Sequence, residues 1–223
     1  RLWFMAQMEG ASETYHIYGG LRLRGALDHD ALRRALDRII ARHAALRTTF
    51  DSHEGEPFQV IAPKEGCRFH LVEQSVTSLE QLQRITTAEA SQPFDLKRGP
   101  LIRGRVVQEA EDLHTLLFTM HHIVSDGWSM GVLVKEFSSL YGAYAQGEAD
   151  PLPELEIQYS DYAIWQRQWV SGEILQKQGQ YWKQTLSGAP GLLEIPTNRA
   201  RPTRPDFSGD SVTLTLNEGL TAG

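Results

Sequence analysis

Residues 101–122 read LIRGRVVQ, then EAED, then LHTLLFTMHH: two strand-like runs around an acidic turn. That spacing predicts an antiparallel hairpin, and a hairpin inside a chain that also carries long amphipathic helices predicts a mixed sheet rather than a doubly wound parallel one. Alternation along the second run sets Leu116, Phe118, Met120 and His122 on one face. Leu113, Thr115, Leu117, Thr119 and His121 then take the other.

Outward from the hairpin the pattern stays mixed. Residues 28–45 place Ala31, Leu32, Ala35, Leu36, Ile39 and Ile40 at helical spacing, with Asp28 as N-cap. Before that helix Leu21 and Leu23 alternate with Arg22 and Arg24, and after it come strand-like runs in RTTF, PFQVIA and FHLVE. A helix over 78–90 leads into the loop SQPFDLKRGP. Beyond the hairpin, a long helix is expected over 128–146 and two more over 159–169 and 172–186. Residues 188–207 are rich in proline and arginine, and 211–216 (SVTLTL) alternate like a strand. The fold class is α/β, a mostly antiparallel mixed sheet layered with helices.

The chain has 223 residues, 41% hydrophobic and 22% charged, enough for a large buried core. Its net charge of −6 and dispersed basic residues offer no footprint for nucleic acid or an anionic membrane surface. The single cysteine, Cys67, rules out an internal disulfide and fits a reducing, cytoplasmic setting. No apolar run reaches the roughly 20 residues of a membrane span, and RLWFMAQMEG lacks the layout of a signal peptide. A start at Arg1 suggests a piece excised from something longer.

The chemistry concentrates in MHHIVSDGWS, residues 120–129. On the apolar row, His122 is expected to be desolvated and neutral, the state of a general base, while His121, beside two threonines, makes structural hydrogen bonds. Adjacent strand residues do not converge on one ion, which argues against a metal site. Asp126 precedes the long helix as a cap, and Gly127 could present a backbone N–H to an oxyanion. On spacing alone, His122 is either a catalytic base or a satisfied core or surface histidine.

Four stretches together carry a resemblance. MHHIVSDGWS resembles the HHxxxDG signature of condensation domains of nonribosomal peptide synthetases, RHAALRTTF (42–50) their RHExLRTxF motif, and YSDYAIWQ (159–166) their YxDYAxW motif. RLWFMAQ (1–7) resembles the end of their first motif. Ala44 stands where that second motif usually has glutamate.

The resemblance implies a chloramphenicol acetyltransferase-like lobe. Residues 1–223 would be the N-terminal lobe, with 188–207 a loop-rich connection and 208–223 the lead into a missing C-terminal lobe. The implied reaction joins a donor acyl or peptidyl thioester to an acceptor aminoacyl thioester, both on the phosphopantetheine arms of carrier proteins, beside an adenylation domain and with no cofactor of the domain's own. His122 would be central, with His121, Asp126 and Gly127 in the catalytic set and Trp128, Ser129, Arg47 and Tyr159 around the substrates. Asp126 would pair with an arginine, Arg47 or one in the other lobe, and Gly127 would line the pantetheine path.

Competing readings remain. An epimerization domain shares both histidines but usually departs from DGWS, and a heterocyclization domain replaces the histidines with aspartate. A CoA-dependent acyltransferase would share HxxxD without the other motifs. From a different class comes a carrier-protein docking module without catalysis of its own.

Overall fold

The computed structural model describes residues 2–7, 13–192, 196, 198–200, 212 and 214–221. After a short helix α1 (Leu2–Ala6), strand β1 (His16–Arg24) half-buries Leu21 and Leu23 and exposes Arg22 and Arg24, as their alternation requires. Helix α2 (His29–Arg42) starts where Asp28 accepts a hydrogen bond from the Ala31 N–H at 2.9 Å and buries the six apolar residues expected of it. It stops short of residue 45, because Ala44–Arg47 tighten into a 3₁₀ turn.

Strands β2 (Thr48–His53) and β3 (Glu56–Ile61) then form a separate two-stranded hairpin. Its turn residues Glu54 and Gly55 both have positive φ, which matches the twist of the flanking strands.

Strand β4 (Leu71–Ser75), helix α3 (Leu79–Ser91, capped by Ser78) and strand β5 (Ile102–Ala110) follow. A parallel pair needs a crossover connection, and α3 supplies it between β4 and β5. Strand β6 (Leu113–His121) returns antiparallel to β5, so the expected hairpin forms around a tighter turn than EAED, with a register shift between Gln108 and Ala110. The sheet order β1-β6-β5-β4 is thus mixed and mostly antiparallel.

One face of the sheet carries the main core. Ile102 and Val106 of β5 with Leu116, Phe118 and Met120 of β6 pack against Leu32, Leu36 and Ile39 of α2. Leu133, Phe137 and Leu140 of helix α4 (Gly127–Ala145) close the same cluster. Each fully buried side chain of this kind contributes about 1.5–3 kcal/mol, so the helix pair is bound to the sheet mainly by apolar burial. The opposite face packs Val107 and Leu117 against Leu82 and Ile85 of α3. It also holds a buried ion cluster in which Glu89 receives Arg103 at 2.8 Å and Arg105 at 2.9 Å.

Helices α5 (Tyr159–Trp169) and α6 (Gly172–Thr185) bury no residue. On α5 the rings of Tyr159, Tyr162, Trp165 and Trp169 form a continuous ladder, centroids 5.9, 5.7 and 5.4 Å apart, with all four exposed.

Residues 1–187 make one compact unit and 188–223 another. In the second, the expected strand over 211–216 is not formed at 212 or 214–216, while Ser211 and Thr213 lie outside the described residues. Val212 and Leu214 are exposed there, and alternation alone makes no strand without a neighbour to hydrogen-bond. Glu218–Thr221 form a final helical turn, α7.

Candidate active site

Strand β6 ends at His121, and the chain turns at His122–Val124 before entering α4. This reverses the expected burial of the two histidines. His122 lies past the strand, where alternation no longer sets the direction of a side chain, and it is exposed. His121 is the desolvated one: fully buried, with its pKa pushed down to about 4 by burial and by the neighbouring His16 and His122.

Their hydrogen bonds give the two rings opposite tautomers. His122 Nδ1 lies 2.8 Å from the Ser125 carbonyl oxygen, which only accepts, so Nδ1 carries the proton and the neutral ring keeps its lone pair on Nε2. His121 Nδ1 instead accepts from the Ile123 N–H at 3.1 Å, which puts the proton of the neutral ring on Nε2. Among the described residues that Nε2 has no hydrogen-bond partner. It sits among aromatic rings, Phe94 at 6.2 Å and His16 at 6.1 Å between centroids. The peptide of the pair is pinned too: the His121 N–H donates to Leu101 O and the His122 N–H to Tyr15 O at 2.7 Å.

Asp126 caps α4 as its position implied. Its carboxylate accepts from the Ser129 N–H at 2.9 Å and from the Ser129 hydroxyl at 2.7 Å, and the Ser129 Oγ accepts from the Asp126 N–H. These bonds, the hydroxyl's first, hold the Asp126 carboxyl below its ordinary pKa. The pairing with Arg47 does not form. Arg47 donates instead to the carbonyls of Ile40 and Ala62, where it ties the end of α2 to the residue after β3. Gly127 opens α4 with nothing within 4 Å of where a Cβ would stand, so among the described residues no close approach demands glycine there.

The loop after β6, the N-terminus of α4, the end of α2 and the start of α5 enclose a cavity of about 420 Å³. His122, Asp126, Trp128, Ser129 and Tyr159 line it together, while His121, Gly127 and Arg47 do not. Most of its wall is apolar, including Ile39, Leu46, Met120, Val124, Val132 and Leu133. Among the described residues no group of three or more His, Cys, Asp or Glu comes together to hold a metal ion, and no helix is long and apolar enough to cross a membrane.

Two further polar residues of this region escaped sequence reasoning. Ser125 supplies the carbonyl that fixes His122, for which side-chain patterns give no signal. His43, in RHAALRTTF, also lines the cavity and is held through Nε2 by Glu136 Oε2 at 2.6 Å. The available signal was Glu136 itself, an acidic residue between Leu133 and Leu140 on the apolar stripe of α4.

The sequence matches the Condensation domain family over residues 1–223. The chain belongs to that family. Malpibaldin synthetase of Mortierella alpina is 47% identical over 224 residues, 99% of this chain but 4% of that protein. The solved X-domain from teicoplanin biosynthesis is 32% identical with a TM-score of 0.79, covering 91% of this chain and 45% of that one. An epimerization domain of tyrocidine synthetase B superposes with a TM-score of 0.75 at 23% identity, over 84% of this chain and 42% of that one. The fold is therefore shared by domains of different reactions, and this condensation-family chain spans less than half of those solved domains.

Proposed function

We propose that the chain supplies the histidine-bearing half of an active site that forms amide bonds between two carrier-borne thioesters in nonribosomal peptide synthesis. The observation that carries this reading is the tautomer of His122: Ser125 holds Nδ1–H, which leaves Nε2 as the proton acceptor on a residue of the cavity wall. The acceptor's amine attacks the donor's thioester carbonyl, Nε2 takes the amine proton as the tetrahedral intermediate forms, and the thiolate leaves. An α-amine has a reference pKa of about 7.7–8.0, so orientation and modest base help suffice, typically about 10²–10⁴-fold.

The second half of the fold closes the site and supplies the other wall. Residues 188–207 act as the connection and 208–223 as the lead into that half. The exposed ladder on α5 supports a missing cover, because four neighbouring aromatic rings in water form an apolar patch of the kind that marks an interface. Alone, the lobe is expected to condense nothing. Donor and acceptor carrier proteins and an adjoining adenylation domain are the partners this reaction requires, and the substrates arrive on phosphopantetheine arms.

The test is His122→Ala in the complete domain with both loaded carriers, following transfer by intact-protein mass spectrometry. Loss of amide product is expected; product at the wild-type rate refutes the reading. A docking role without catalysis is the second reading, favoured by the X-domain's having been solved in complex with OxyB. It predicts carrier binding with no amide product from the wild-type domain, and epimerization predicts a stereochemically inverted residue in place of a new bond.

A further inference from the structure

The cavity holds a second imidazole that the reaction above leaves without a role. His43 stands at the C-terminal end of α2, where its backbone N–H caps the helix on Ile39 O at 3.1 Å and its carbonyl accepts from the Leu46 N–H at 3.0 Å. On either side of it, the Gln158 side chain accepts from the Ala44 N–H at 2.9 Å and donates to Arg42 O at 3.0 Å. Its Nε2 donates to Glu136, a nearly buried carboxylate whose other oxygen receives Arg42 Nε at 3.1 Å. Backbone, ring and neighbours are thus all fixed, which is how a first contact to a ligand is kept in register.

With Nε2 taken by Glu136, any hydrogen bond His43 offers the cavity comes from Nδ1. In the neutral ring that nitrogen accepts, and much of the cavity wall, including Ile39 and Leu46, is apolar. We propose that His43 is a positioning residue of this site, its Nδ1 accepting a hydrogen bond from an N–H group of a carrier-borne substrate. This rests on the condensation reading. Two N–H sources share that chemistry, an amide of the pantetheine arm and the α-amine of the acceptor.

The complete domain tests it with His43→Phe and His43→Asn. Both changes break the bond to Glu136, but only Asn keeps a polar atom near the position of Nδ1. A purely structural role impairs both variants alike. A positioning role raises the acceptor KM of the Phe variant about tenfold, the loss of roughly one hydrogen bond, with partial rescue in Asn. With an aminoacyl ethyl thioester, which has no amide, the Phe penalty disappears if the arm is the donor and persists if the amine is. Wild-type KM and kcat for His43→Phe with both substrates overturn the proposal, and so does equal impairment of the two variants. Inactivity of His122→Ala beside a wild-type His43→Phe removes only this inference. An active His122→Ala removes the condensation reading beneath it.

Discussion

Acid should weaken this fold through one buried ring. His121 is fully buried and neutral, with a pKa of about 4 against an ordinary value near 6.5. Between those values the unfolded chain binds a proton that the folded chain refuses. His121's contribution is therefore fully present above about pH 6.5, declines as the pH falls, and is gone by about pH 4. At 1.36 kcal/mol per unit the loss is about 3 kcal/mol, a large share of the roughly 5–15 kcal/mol that stabilises a typical domain. Carboxylates also titrate near the lower limit, so the measurement compares wild type with His121→Asn, whose side-chain oxygen can still accept from the Ile123 N–H. Urea unfolding followed by far-UV circular dichroism, from about pH 7 to about pH 4, should show wild type losing about 3 kcal/mol more than the variant. A stability gap that does not change with pH refutes the reasoning, as does an NMR titration of His121 near its ordinary value.

Gly104→Ala should destabilise by about 1–3 kcal/mol in the same unfolding assay. A Cβ there would stand 2.8 Å from a Phe69 ring carbon and 2.9 Å from the Leu117 carbonyl oxygen, and that oxygen belongs to a strand that cannot retreat. Asp126→Ala should lower stability by about 1 kcal/mol through the lost cap of α4, whereas Asp126→Asn should stay near wild type because an amide oxygen can still accept from Ser129. Amide formation by the complete domain then separates the cap from the charge: if Asn loses as much activity as Ala, the carboxylate's charge is needed as well.

Legibility followed the regular elements. Asp28 before helical spacing, the helix over 78–90, and two alternating runs around EAED were local readings, and each found its element in the fold. The reading of the histidines failed one residue beyond its domain. A period of two assigns faces only inside a strand, and His122 sits in the turn that follows, so the desolvation expected there fell on His121. The Arg47–Asp126 pair failed because charge complementarity carries no distance information, and backbone carbonyls claimed the guanidinium. At the described residues of the alternating run, 212 and 214–216, the strand reading failed because a strand is a relation between two segments. Tyr159 came to the cavity through resemblance rather than periodicity, and His43 went unnoticed beside it.

The ring ladder on α5 also decides how this protein looks to light. Of its five tryptophans, Trp165 and Trp169 belong to the ladder, Trp182 is exposed on α6, Trp128 stands 85% exposed at the cavity mouth, and Trp3 is half-buried. None is packed in the sheet core, so tryptophan emission should barely register the melting of that core. It should respond instead to whatever settles over α5 or enters the cavity. Trp165 and Trp169 lie 5.4 Å apart and 10° from parallel, close enough for their transitions to couple. A chain whose fluorescence is a poor thermometer of its own folding is thereby a sensitive optical gauge of contact.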